Sequence, residues 1–63
     1  MKYFVGDVRY KKGVSLSRLA ERACITRSYL QRIEAGEAKP SLEVMVRLAN
    51  ALESALEDLY QEE

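Results

Sequence analysis

The chain has 63 residues, with ten Lys and Arg against ten Asp and Glu, no histidine and one cysteine, Cys24. That length allows a single domain whose core lies near the lower limit for a fold without disulfides, metal or a partner. A lone thiol without imidazole excludes disulfides and a four-ligand zinc cluster, and no apolar run approaches the roughly 18 residues of a membrane span.

Helix formers dominate, and the breakers Gly6, Gly13, Gly36 and Pro40 divide the chain. No useful period-2 apolar alternation occurs, so an all-α fold without a sheet is expected. The first segment runs from Lys2 to Lys12, with Phe4, Val5 and Val8 on one face and Gly13 as its stop. Gly6 inside it costs roughly 1 kcal/mol against alanine, making this helix the least secure. Its opening residues meet Asp7 at once, which is no signal-peptide pattern, and a lone thiol points to the cytoplasm. Ser15 caps a second helix carrying Leu16, Leu19, Ala20 and Ala23. Thr26 caps a third that carries Leu30 and Ile33 and stops at Gly36. Only Cys24 and Ile25 separate the two, so they must cross steeply, with Ala20 small at the crossing and Ile25, Leu30 and Ile33 plugging the angle.

Glu37 to Pro40 reads as a loop, and Ser41 caps a fourth helix through Leu52. Ser54-Ala55-Leu56-Glu57 has the spacing of a capping box for a fifth. A rival is one continuous helix, because Leu42, Met45, Ala49, Leu52, Leu56 and Leu59 are spaced 3-4-3-4-3 without a breaker. Under three heptads long, that stripe suits core packing better than a coiled coil.

Charge is divided along the chain. Glu53, Glu57, Asp58, Glu62 and Glu63 stand without a base, so the tail carries −5; the ten bases and five acids before it leave +5. Such polarity favours a nucleic-acid partner over the body and a solvated face for the tail. At about 100° per residue, with Arg27 at zero, Gln31 falls at about 40°, Ser28 at about 100° and Arg32 at about 140°. Leu30 and Ile33 fall on the opposite side. The polar arc holds no acid, and its side chains are those that read base edges: Arg on guanine, Gln on adenine, Ser on either. No nucleophile–base pair, metal cluster or glycine-rich phosphate loop is present, so no enzyme, cofactor, metal or small-molecule ligand is expected.

Arg9, Lys12-Gly13, Ser15, Leu19-Ala20, Ala23, Ile25-Thr26, Ser28, Leu30, Arg32-Ile33-Glu34, Gly36, Pro40 and Ala49-Asn50-Ala51-Leu52 carry a resemblance. From Val5 to Tyr60 the chain resembles the Cro-and-repressor helix-turn-helix family, often called the Xre family. The resemblance implies a compact five-helix, lambda-repressor-like DNA-binding domain whose second and third helices form the helix-turn-helix. It implies a sequence-specific transcriptional regulator, read as a repressor, that binds double-stranded DNA as a homodimer on a palindromic operator. Carried over by position, Arg27, Ser28, Gln31 and Arg32 would touch bases. Thr26, Tyr29, Lys39 and Ser41 would touch the DNA backbone, and Arg9 and Glu34 would form a buried ion pair.

The sequence departs from that family at three places: Leu16 where Gln is usual, and Cys24 and Glu53 where Gly is usual. Cys24 is read as a small buried hydrophobe rather than a redox thiol. Tyr3, Phe4 and Tyr10 are read as core or rim packing. The expected dimer interface is Leu56, Leu59 and Tyr60, because one short helix reads too few base pairs for a genome. A protein-interaction or antitoxin-type module on the same fold is the alternative.

Overall fold

A computed structural model describes residues 1–62. In chain order it comprises strand β1 (Lys2–Tyr3), helices α1 (Val5–Lys11), α2 (Leu16–Arg22), α3 (Arg27–Glu34) and α4 (Leu42–Leu52), a 3-10 turn (Leu56–Asp58) and strand β2 (Tyr60–Gln61).

Three helices begin where a hydroxyl can accept an otherwise orphaned backbone N–H. Ser15 accepts from Arg18 N–H at 3.1 Å, Thr26 from Tyr29 N–H at 3.1 Å and Ser41 from Val44 N–H at 3.2 Å. Helix α1 has no such cap. Its start is set from outside, by the Phe4 N–H that donates to the Leu59 carbonyl at 2.7 Å. Lys2–Tyr3 is therefore strand, and the helix expected from Lys2 begins only at Val5. Gly13 and Gly36 end α1 and α3 in the left-handed region, at φ 70 and φ 80, where a side chain would be strained.

The four helices enclose one apolar core. Leu19, Leu30, Ile33, Leu48, Leu52, Leu59 and Val5 are its largest fully buried side chains. Ala20 and Ala23 are buried beside them, as a close crossing of α2 and α3 requires.

The C-terminal part differs from the expected five helices and from their continuous rival: four α-helices form, followed by a single 3-10 turn. Helix α4 stops because Glu53 adopts φ 53, ψ 42, the left-handed conformation that turns the chain away. The capping box does not form either. Ser54 Oγ donates to the Leu52 carbonyl at 3.4 Å, and the 3-10 turn starts after Ala55 without a side-chain cap. The heptad stripe breaks up accordingly: Met45, Ala49, Leu52 and Leu59 are buried, Leu56 is half-buried and Leu42 is 70% exposed.

After Leu59 the chain returns to its beginning. β2 pairs antiparallel with β1, Lys2 opposite Gln61 and Tyr3 opposite Tyr60, so a two-stranded ribbon exists where no sheet was expected. Two residues per strand are too few for a period-2 pattern to register in a sequence.

Candidate nucleic-acid interface

The geometry of the interface begins at the turn between α2 and α3. Cys24 N–H donates to the Glu21 carbonyl at 3.2 Å and Ile25 N–H to the Ala20 carbonyl at 3.0 Å, with Cys24 itself at φ 58. These bonds close α2 and reverse the chain, so α3 leaves at a steep angle. Cys24 is exposed, which corrects its reading as a buried hydrophobe. A left-handed residue at the outside of a tight reversal holds its Cβ away from the interhelical angle, and Ile25, half-buried, fills that angle instead.

Helix α3 is fixed by one face and open on the other. Leu30 and Ile33 are buried and Tyr29 is half-buried against the core. Arg27, Ser28, Gln31 and Arg32 are all exposed. Thr26 is exposed at the start of the helix; its oxygen caps Tyr29, which leaves the hydroxyl hydrogen available to an outside acceptor. Ser41 is placed in the same way at the start of α4. Lys39 is exposed on the intervening loop, next to a buried Pro40 that anchors the loop to the body.

Behind α3 stands the Arg9–Glu34 pair. Arg9 Nε donates to Glu34 Oε2 at 2.8 Å and Nη2 to Oε1 at 3.1 Å, a bidentate fork. Nη1 donates to the Val14 carbonyl at 3.0 Å. Their side chains are 19% and 15% exposed, so the pair is shielded without being fully desolvated. The Glu34 hydrogen bond raises the Arg9 pKa further, and burial offsets part of that. One guanidinium thereby ties α1, the loop before α2 and the last turn of α3 together, fixing the angle at which α3 is held out. Gly6 permits this approach, since a Cβ there would lie 3.2 Å from Glu34 Oε1. Sequence spacing could suggest the ion pair; the contact with Val14 and the purpose of Gly6 depend on the packed geometry.

Leu16 is half-buried and packed on the core. Of the three residues expected at a dimer interface, Leu59 is 0% exposed in its own chain, so its side chain cannot meet a partner. Leu56 and Tyr60 are half-buried and line a groove of about 280 Å³ with Met1, Tyr3, Pro40 and Leu42. Tyr10 is 82% exposed, which corrects its reading as packing, whereas Tyr3 and Phe4 are half-buried. Among the described residues no cluster of acids and cysteine could hold a metal, and no helix is long and apolar enough to cross a membrane.

Residues 7–59 match the family model described as helix-turn-helix. An uncharacterized HTH-type transcriptional regulator of Mycobacterium tuberculosis is 39% identical over 57 residues, 90% of this chain and 41% of that protein. A putative HTH-type transcriptional regulatory protein of Pyrococcus abyssi is 44% identical over 50 residues, 79% of this chain and 16% of that protein. The chain thus spans well under half the length of these relatives. Among solved structures, the restriction-modification controller protein C.AhdI of Aeromonas hydrophila superposes with a TM-score of 0.85 at 32% identity, over 89% of this chain and 85% of that one. The N-terminal DNA-binding domain of SinR of Bacillus subtilis gives 0.81 at 33% identity, over 94% and 87%.

Proposed function

Because the chain belongs to the Xre-type helix-turn-helix family of transcriptional regulators, we propose that it is a sequence-specific repressor that lays α3 in the major groove of a palindromic operator. The observation that carries this reading is the arc of Arg27, Ser28, Gln31 and Arg32: exposed, free of acid, and backed by a rigid apolar face. In this role Arg27 and Arg32 read guanine edges, and Ser28 and Gln31 supply further donors and acceptors. Thr26, Ser41 and Lys39 position the backbone, their two free hydroxyl hydrogens and one ammonium being suited to phosphate oxygens. Tyr29 offers only its half-buried edge to that backbone. With a reading surface and no catalytic one, occupation of the operator in the cytoplasm is the whole action.

Size favours two copies. The molecule measures 29 × 22 × 19 Å, and two recognition helices in successive major grooves on one face of the duplex stand about 34 Å apart. Neighbouring copies then abut, and Leu56 and Tyr60, with the exposed Leu42 beside them, give an apolar patch for the contact.

Selection of bound duplexes from a random pool, repeated for variants, tests the assignment. Arg27→Ala should cost about 1–3 kcal/mol on the best site and relax preference at one base pair; Lys39→Ala should weaken all sequences alike. An unchanged selected motif for Arg27→Ala rejects α3 as the reader. A docking module on the same fold would show no binding that falls with salt.

A further inference from the structure

We propose that Lys2 is a second phosphate-positioning residue, and that with Lys39 it forms a cationic clamp on the flank of α3. The proposal rests on α3 being the major-groove helix.

A groove of about 350 Å³ runs between β1 and the loop that follows α3. Lys2 stands on its ribbon wall and Lys39 on its loop wall. Both are exposed, and among the described residues neither has an ion-pair or hydrogen-bond partner. Two acids also border the groove. Glu34 is occupied by Arg9 at 2.8 Å, so Asp7, exposed in the first turn of α1, is the only unpaired carboxylate facing the two lysines. Two unpartnered cations on opposite walls, beside the end of a helix seated in a major groove, suit a sugar–phosphate strand running along the groove's edge.

The ribbon supplies the positioning. Successive side chains of a strand point to opposite faces. Tyr3 and Tyr60, paired across the ribbon, border the apolar groove that contains Leu56, and Lys2 does not border it. Lys2 is thereby directed to the other side, toward the loop of Lys39. Pairing with Gln61 and the 2.7 Å bond from Phe4 N–H to the Leu59 carbonyl hold its backbone, so binding need order only the side chain. On this reading the ribbon is part of the DNA interface.

The test uses the full chain and a random-sequence duplex, with affinity measured by fluorescence anisotropy between 50 and 200 mM salt. Each lost phosphate contact lowers the slope of log affinity against log salt by about 0.9, which narrows the affinity change across that range about 3.5-fold. Lys2→Ala and Lys2→Met should each show one such step, Lys39→Ala one, the double variant two, and Lys2→Arg none. The motif selected from a random pool should stay as in the parent. Lys12→Ala is the control for net charge, since Lys12 Nζ donates to the Glu53 carbonyl at 3.3 Å, away from this groove; it should leave the slope alone. A Lys2→Met slope equal to the parent's, or an equal drop for Lys12→Ala, overturns the clamp while leaving the α3 reading intact. A parent chain without salt-dependent binding overturns both.

Discussion

Two residues other than glycine take the left-handed backbone, Cys24 at φ 58 and Glu53 at φ 53, and the regions around them are built differently. Around Cys24 the structure is made by near neighbours. Ser15 and Thr26 cap the flanking helices three residues on, and the turn bonds reach back three and five residues. Around Glu53 little is local. The 3-10 turn has no side-chain cap, Leu59 is held by the core, and β2 exists only because β1 is beside it. Strain of about 1 kcal/mol at either residue is tolerated for different reasons: near Cys24 the adjacent bonds require the reversal, near Glu53 the remote packing does. The recognition unit should therefore lose stability in small local steps, and the closing segment in one large cooperative step.

The largest effect expected is that of Leu59→Ala. It empties a fully buried site that also carries the carbonyl bonded by Phe4 N–H, and should cost about 3–4 kcal/mol in a urea melt. In a domain of this size that is a large share of the total stability. A loss under about 1 kcal/mol, in the range of a local change, would dissolve the contrast between the two regions.

Next comes Arg9–Glu34, the one polar tie between α3 and the first helix. Arg9→Ala or Glu34→Ala should each cost roughly 3 kcal/mol, at the lower end for shielded pairs because water still reaches both groups. Replacing both by apolar residues should be much milder, since no charge is stranded. If the single losses are small and add in thermal melts, the recognition unit stands without this tie and is more local than described.

Smaller effects, of opposite sign, follow from the two turns. Cys24→Gly and Glu53→Gly should each raise stability by about 1 kcal/mol, the left-handed conformation being free of cost for glycine. The Lys12 bond survives in Glu53→Gly because it is made to a backbone carbonyl. Smallest of all is Ser54→Ala, expected within about 0.5 kcal/mol, because this hydroxyl makes one long bond and caps nothing. A working capping box would give about 1 kcal/mol instead.

The same contrast explains what could be read in the sequence. The caps at Ser15, Thr26 and Ser41 are bonds between residues three apart, so a short window contains both partners. The exposed arc of α3 followed from helical periodicity alone, with Leu30 and Ile33 fixing which side faces in. The ribbon could not be read, because its partners lie at opposite ends of the chain and neither strand has length enough for a pattern. Ser54 to Glu57 misled for a related reason: the local signal for a helix start is present, but Glu53 turns the chain and the burial of Leu59 decides its path. Leu42 fits a buried stripe by spacing and yet is exposed, since α4 begins at the edge of the body, with only its later turns inside.

The pairing of Lys2 with Gln61 also gives the chain the topology of a ring that is open at one point. Joining those residues through a two-residue Asn-Gly turn would convert the ribbon into a β-hairpin, and the new ends could be opened between Glu53 and Ser54. The permuted chain would keep every helix but turn its most distant contact into one of its nearest. Folding rate falls as contacts become more distant in sequence, so this rearranged chain should fold faster than the parent while reaching the same packed core.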